Sequence, residues 1–427
     1  MADIRVTIDG NTVVVPQGTK ILDAARSAGI EVPTLCHAAK LQHFTSCFMC
    51  VVDVEGAPKP LPSCSTEARD NMVIHTDSPR IRETRRTCLE LLLSDHLGDC
   101  HAPCHLTCPT GIDIQGFLKR TAVGDEQAAL ELVKDAMPFP ASLGRVCPHP
   151  CEEVCRRNRV DEPLAICWSH RYLGDNDLAR AELYKPEVPA ESGHRVAVVG
   201  GGPAGLSAAY HLRRKGHAVT IFEMQEAAGG MLRWGIPYYR LPAAVLDAEI
   251  QAILDMGVEI QYGKKLGRDF TLESLKAEGY EAIFVGVGAQ EASSMRVEGE
   301  ELPGVMSGLD FLGRVARGER PALGPSVVVV GGGNTAIDSA RTALRLGVPS
   351  VTILYRRTRE EMPALDIEVN DAIREGVQIE FLAAPVSVQA VHDQLQLTCQ
   401  RMQLGEPDAS GRRRPIPVEN GDFMKTC

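Results

Sequence analysis

Residues 4–15, Ile-Arg-Val-Thr-Ile-Asp-Gly-Asn-Thr-Val-Val-Val, alternate on both sides of Asp9-Gly10-Asn11. Alternation flanking a turn sequence predicts a hairpin. Thr19 is placed to cap a helix over 20–28 that Gly29 closes. Residues 76 to about 185 read as helical, beginning with a helix over 79–93, and 185–193 form a Pro-rich linker. The pattern then changes. Val196 to Val199 are four consecutive apolar residues, as expected of a parallel strand buried on both faces. A helix over 206–215, stopped by Gly216, and a strand over 218–222 follow. A later buried strand is expected around 284–289. A second five-residue strand, 326–330, is followed by another over 351–355.

Glycines sit just after the strands at 196–199 and 326–330. Gly200, Gly202 and Gly205, with Pro203 and Ala204 between them, make G-x-G-x-x-G. The first glycine allows a tight strand-to-helix turn, the second lets backbone approach a diphosphate, and the third lets the helix pack on the strand. Glu223 ends the second strand about 20 residues on, where such folds bind a ribose hydroxyl. Gly331, Gly333, Asn334, Thr335 and Ala336 repeat the motif as G-x-G-x-x-A. The strand after this second motif ends in Arg356 and Arg357 instead of an acid. An arginine there can pair bidentately with a 2′-phosphate, so NADP(H) is expected, with NAD(H) as the alternative.

The net charge of −11 excludes a nucleic-acid partner, because the only concentrated basic stretch is Arg412 to Arg414. No membrane span or signal peptide is apparent in the hydropathy pattern, so a cytoplasmic protein is expected. Fourteen cysteines change the picture more. Twelve precede Val196, and in a chain of 427 residues with nucleotide motifs metal ligation is the better reading than disulfides.

Cys36, Cys47, Cys50 and Cys64 have C-x10-C-x2-C-x13-C spacing. Four soft thiolates suit one [2Fe-2S] cluster, with zinc as the rival. Six more cysteines fall in two groups: Cys100, Cys104 and Cys108, then Cys147, Cys151 and Cys155. Two [4Fe-4S] clusters would need eight ligands if each group serves both, so two non-cysteine ligands are required.

The first 75 residues, including Val32-Pro-Thr-Leu-Cys36, resemble the ferredoxin-like domain of complex I's large iron–sulfur subunit and of iron-only hydrogenases. Cys104-x3-Cys108-Pro-Thr-Gly, Gly144-Arg-Val-Cys147-Pro and Cys155-Arg-Arg are similar to the glutamate synthase small-subunit family and to dihydropyrimidine dehydrogenase. So is the stretch from Gly229 to Pro242, which contains Gly230, Met231, Leu232, Gly235, Ile236 and Arg240. That resemblance implies FAD on the first nucleotide unit, contacted by those six residues. It also implies one cluster on Cys100, Cys104 and Cys155, and another on Cys108, Cys147 and Cys151. His96 and His170 are the candidate fourth ligands, either of which could instead be an ordinary surface residue, and Cys167 competes with His170.

The expected architecture is multidomain. A β-grasp ferredoxin-like domain spans 1–78 and an α-helical two-cluster iron–sulfur domain 79–185. Two α/β Rossmann-like domains follow, for FAD (194–290) and NAD(P)H (291–427), with the completion of the FAD domain not seen. The resemblance implies an NAD(P)H oxidoreductase exchanging electrons with a partner, in a hetero-oligomer. The partner would be a hydrogenase, a formate dehydrogenase, a ferredoxin or a glutamate synthase large subunit. Two alternatives are a glutamate synthase small subunit or transhydrogenase or bifurcating subunit, and a non-catalytic metal-binding assembly module.

Overall fold

A computed structural model describes residues 2–37, 45–94, 101–392, 394–409 and 411–427, in two compact units, 1–101 and 102–427. His96 and Cys100 lie outside the described residues.

The first unit contains β1 (Asp3–Ile8), β2 (Asn11–Pro16), α1 (Ile21–Ser27), β3 (Val51–Val54), β4 (Leu61–Pro62), β5 (Met72–His75) and α2 (Pro79–Ser94). Its five-stranded sheet has the order β2-β1-β5-β3-β4, with only the central β1-β5 pair parallel. Val6, Ile8, Val52 and Ile74 pack with Ile21 and Leu22 of α1 in a core that also includes Cys50 and Cys64. Thr19 does not cap α1: its hydroxyl donates to Pro16 O at 2.6 Å, and Lys20 is the N-cap, its side chain making no capping bond.

The second unit opens with helices α3 (Pro103–Thr107), α4 (Ile114–Ala122), α5 (Glu126–Ala136), α6 (Pro140–Val146), α7 (Pro150–Glu153) and α8 (Ile166–Leu178). Asp113 and Asp125 cap α4 and α5 by accepting from Gly116 N and Ala128 N. Phe117, Leu130, Val133, Ile166 and Leu173 form the core of this region.

The first nucleotide-type region comprises β6 (Arg195–Val199), α9 (Pro203–Arg213), β7 (Ala218–Phe222), α10 (Met231–Trp234), α11 (Ala243–Leu254), β8 (Val258–Gln261), α12 (Leu272–Ala277) and β9 (Ala282–Val285). Its parallel sheet is ordered β8-β7-β6-β9. The expected strand around 284–289 is shorter and is not buried. As an edge strand paired only with β6, β9 leaves Phe284 and Val285 exposed.

The second such region begins with α13 (Gly308–Ala316), β10 (Ser326–Val330), α14 (Asn334–Arg345), β11 (Ser350–Tyr355), α15 (Asp366–Glu375) and β12 (Gln378–Phe381). Its parallel sheet runs β10-β11-β12. β13 (Ala383–Val391), β14 (Gln394–Pro407) and β15 (Arg413–Thr426) then form a separate antiparallel sheet.

Candidate functional site: two dinucleotide turns and the cysteine clusters

In the first turn Gly200 adopts φ 106°, and a Cβ on Gly205 would lie 1.8 Å from Gly200 O. That contact explains the third glycine, since any side chain would force β6 and α9 apart. Gly202 is the N-cap of α9 and Pro203 its first residue, with no side-chain cap. Helix N–H groups are thus left for an anion. The Glu223 carboxylate is buried beside them, accepting from Gly201 N at 2.6 Å and Gln225 N at 2.7 Å. Gly230 packs its backbone over Gly202, and Met231 and Leu232 begin α10. Gly235 and Ile236 close that helix by bonding to Met231 O.

The second turn repeats the design. Gly333 is the N-cap of α14, again without a side-chain cap, and buried Ala336 stands where the third glycine would be. Thr335 follows Asn334 on the first turn of α14. Asn334 Oδ1 accepts from Leu365 N at 3.1 Å, which ties the turn to the loop after β11.

Two residues expected at a cofactor make other contacts. Arg357 is 4% exposed, with Nη2 2.6 Å from Asp408 and Nε donating to Arg413 O at 2.7 Å, so it anchors β11 to the antiparallel sheet. Arg356 alone of the pair is exposed. Arg240 is also committed elsewhere, with Nη1 2.7 Å from Asp338 on α14 and Nε 3.0 Å from Glu368 on α15. Asp338, Glu368 and Arg341 complete a largely buried charge network between the two nucleotide regions, and sequence reasoning missed all three.

In the first unit Cys36, Cys47, Cys50 and Cys64 converge. Cys36 N and Met49 N both point at Cys47 Sγ at 3.5 Å, and Thr45 Oγ1 lies 3.8 Å from Cys64 Sγ. The backbone amides of Cys47 and Ser46 pull the Cys36 thiol down to about 7, whereas burial and the neighbouring Cys50 push Cys64 up to about 11. Amide donors aimed at sulfur are the outer shell that thiolate ligands of a cluster need. Arg85 of α2, another residue that sequence reasoning missed, donates to Val51 O and Thr76 O. Among the described residues its Nε is buried without a hydrogen-bond partner.

In the helical region Cys108, Cys147 and Cys151 are electrostatic neighbours, and Cys104 neighbours both Cys155 and Cys108. Cys147 is drawn down to about 4, first by a hydrogen bond from Cys167 and then by His170 and the His149 amide; burial opposes the shift. Buried His170 holds Nδ1 3.2 Å from Pro140 O, which leaves Nε2 for the cysteines. Among the described residues no group of ligand-type side chains is gathered as tightly as one metal ion requires. A cluster spreads its thiolates over several irons.

Glu249 of α11, 2% exposed, accepts from Ala141 N at 2.8 Å and Ser142 N at 2.9 Å. A carboxylate of the first nucleotide region thereby caps the helix that leads to Cys147.

Comparison with known proteins agrees with this organisation. A 2Fe-2S iron–sulfur cluster binding domain matches residues 1–79, and a dihydropyrimidine dehydrogenase 4Fe-4S cluster domain matches 75–182. A pyridine nucleotide-disulphide oxidoreductase domain matches 194–408. The NADP(+)-dependent formate dehydrogenase subunit beta of Moorella thermoacetica is 42% identical over 351 residues, 76% of this chain and 50% of that protein. The NADPH-Fe(3+) oxidoreductase subunit beta of Geobacter sulfurreducens is 43% identical over 334 residues, 76% and 49% of the two chains. The chain thus spans about half the length of these two relatives. The glutamate synthase [NADPH] small chain of Azospirillum brasilense is 33% identical over 349 residues, 77% of this chain and 72% of that one. With one family domain matching half of the chain and the glutamate synthase small chain covered over 72% of its length, the chain belongs to the pyridine nucleotide-disulphide oxidoreductase family, alongside the glutamate synthase small chain.

Proposed function

We propose that this chain is the electron-transfer part of an NADPH-dependent oxidoreductase, exchanging reducing equivalents among NADPH, FAD, one [2Fe-2S] and two [4Fe-4S] clusters and a partner redox subunit. The observation that carries the reading is the pair of buried polar joints within residues 102–427. Glu249 fastens the cysteine-bearing helices to the first dinucleotide turn's domain, and Arg240 fastens that domain to the helix opening at Gly333.

The start of α9 would hold the FAD diphosphate, and Glu223 is placed to accept from its ribose. The start of α14 would hold the NADPH diphosphate. Exposed Arg356 is the arginine left to meet a 2′-phosphate. Bound flavin supplies the exchange between a two-electron hydride carrier and one-electron centres. Cys36, Cys47, Cys50 and Cys64 would hold the [2Fe-2S] cluster in a β-grasp domain over 1–78. Cys104 and Cys155 with His96 and Cys100 would hold one [4Fe-4S] cluster. Cys108, Cys147, Cys151 and His170 would hold the other, within a helical domain over 79–185.

The relatives' names as beta subunits and a small chain support a partner subunit, of formate dehydrogenase, hydrogenase, ferredoxin or glutamate synthase large-subunit type. The described cysteines are unpaired, which supports a reducing, cytoplasmic setting. Anaerobic purification with metal, acid-labile sulfide and flavin analysis tests the proposal. About ten iron, ten sulfide and one FAD per chain are expected; zinc without labile sulfide overturns it. Dye reduction faster with NADPH than with NADH is the expected catalytic signature.

A further inference from the structure

Two of the four sulfurs in the first unit meet hydrogen-bonding groups of different kinds. Cys47 Sγ is met by backbone, the amides of Cys36 and Met49 at 3.5 Å. At Cys64 Sγ the group within reach is a side chain, Thr45 Oγ1 at 3.8 Å. Cys64 itself is fixed from behind. It belongs to the core, and its fully buried neighbour Ser63 donates to Cys50 O from N at 3.1 Å and from Oγ at 2.7 Å. Ser63 O in turn accepts from Leu22 N of α1 at 3.0 Å. The Cys64 sulfur therefore has a set position, and Thr45 reaches it from the stretch that leads into Cys47.

The backbone at Thr45 is held in an unusual conformation. Its φ is 49°, in the left-handed region. Glycine or asparagine is at ease there, whereas a β-branched residue is an outlier. Such conformations persist only where the surroundings enforce them, and they gather at functional sites. What threonine offers over glycine is its hydroxyl, and that hydroxyl is the group that meets Cys64 Sγ. A threonine hydroxyl carries one proton and an iron-bound cysteine sulfur carries none. With a cluster in place the direction of the bond is therefore set: Thr45 donates and Cys64 accepts.

Resting on the [2Fe-2S] assignment above, we infer that Thr45 is a positioning residue that donates its O–H to the iron-bound Cys64 sulfur and raises the reduction potential of that cluster. A charge-assisted hydrogen bond draws negative charge off the sulfur, which favours the reduced state with its extra electron. Three substitutions separate the hydroxyl from the backbone. Valine keeps the β-branched shape, and with it the cost of the left-handed conformation, but has no donor. Glycine removes both the donor and that cost. Serine keeps the donor.

The full chain is purified anaerobically as wild type, Thr45→Val, Thr45→Gly and Thr45→Ser, and each is taken through iron and sulfide analysis and an EPR-monitored redox titration of the [2Fe-2S] signal. The expected result is wild-type iron and sulfide throughout. The reduced-to-oxidised ratio at a fixed potential should fall about tenfold in Thr45→Val and Thr45→Gly, a shift of about 59 mV to lower potential for one electron. Thr45→Ser should stay close to wild type. An unchanged potential in both Thr45→Val and Thr45→Gly overturns the inference, as does a shift in Thr45→Ser as large as in Thr45→Val. Loss of about two iron and two sulfide from both donor-free variants would make Thr45 a requirement for holding the cluster and overturn it as well. Wild-type protein without a [2Fe-2S] signal would instead defeat the underlying assignment, and is recognised before any variant is measured.

Discussion

Arg240 Nη1 lies 2.7 Å from Asp338 Oδ2, joining the loop after α10 to the helix that begins the second dinucleotide turn. Both side chains are under a tenth exposed. Arg240 Nε is 3.0 Å from Glu368 Oε1 but off hydrogen-bond alignment, and Asp338 Oδ1 has no partner. The pair is thus well placed but incompletely satisfied, so removing one member should cost more than the pair itself is worth. Asp338→Ala is expected to destabilise the second unit by about 3 kcal/mol, and Asp338→Asn, which can still accept from Arg240, by less. Thermal or urea unfolding of the two variants checks the order.

The same aspartate gives a pH signature. Burial, opposed by Arg240 and reinforced by Glu368, raises it to about 6 from an ordinary 3.8. A carboxyl raised in the folded state stabilises the fold below its unfolded pKa, and that contribution disappears as pH climbs through the folded value. Wild-type stability relative to Asp338→Asn should therefore fall between about pH 4 and pH 6, by on the order of 3 kcal/mol. A difference that grows over that window would contradict the buried geometry.

Glu249 makes the other joint. Alanine there would leave Ala141 N and Ser142 N buried and unpaired at the start of α6. Each orphaned donor costs about 1–3 kcal/mol. Glu249→Ala is expected to lower the unfolding midpoint and to reduce iron content in the same preparation, because α6 ends at Cys147. Glu249→Gln retains one acceptor and should lie between it and wild type. Normal iron content in Glu249→Ala would mean that the cysteine helices keep their positions without this cap.

Much of this was legible in the sequence because local period and spacing carry it. The strands at 196–199 and 326–330 and their glycine turns follow from apolar runs and from contacts within a few residues, such as Gly205 against Gly200 O. What sequence reasoning lost were contacts across long separations. Nothing local couples Arg357 to Asp408, or Arg240 to Asp338. Glu249 did leave a trace, as a lone carboxylate beside Leu246, Ile250 and Ile253 on the apolar side of α11. The antiparallel sheet over 383–426 was not foreseen within the expected NAD(P)H domain, although period-two stretches such as Leu395-Gln-Leu397-Thr-Cys399, whose alternate members face the core, carry its trace. The cap on α1 failed for a different reason: Lys20 is the N-cap, and Thr19, one residue outside it, turns its hydroxyl to donate to Pro16 O.

The arginines after β11 should separate cleanly. Arg356→Gln removes an exposed charge, so stability should change by less than about 0.5 kcal/mol. Its KM for NADPH should rise about tenfold or more, the equivalent of about 1.4 kcal/mol, with KM for NADH unchanged. Arg357→Gln should do the reverse, costing stability through the lost bonds to Asp408 and Arg413 O while leaving the NADPH-to-NADH ratio near wild type. Steady-state dye reduction with each nucleotide, alongside an unfolding curve, distinguishes them. A collapse of NADPH preference in Arg357→Gln alone would reassign the 2′-phosphate contact.

Gly205 offers the sharpest separation between the cofactors. A Cβ at this position would meet Gly200 O at 1.8 Å, with Val198 Cγ1 at 3.1 Å behind it, and backbone at the turn cannot rotate away as a flexible side chain would. Gly205→Val must therefore push the start of α9 off β6, displacing the N–H groups proposed to hold the FAD diphosphate. Overpacking of this kind costs about 1–3 kcal/mol. Flavin content should fall steeply while iron and sulfide remain near wild type, since Cys36, Cys47, Cys50 and Cys64 belong to the other unit and Cys104 to Cys155 lie on α3 to α7 and the adjoining turns. Flavin retained at wild-type stoichiometry in Gly205→Val would place the FAD somewhere other than this turn.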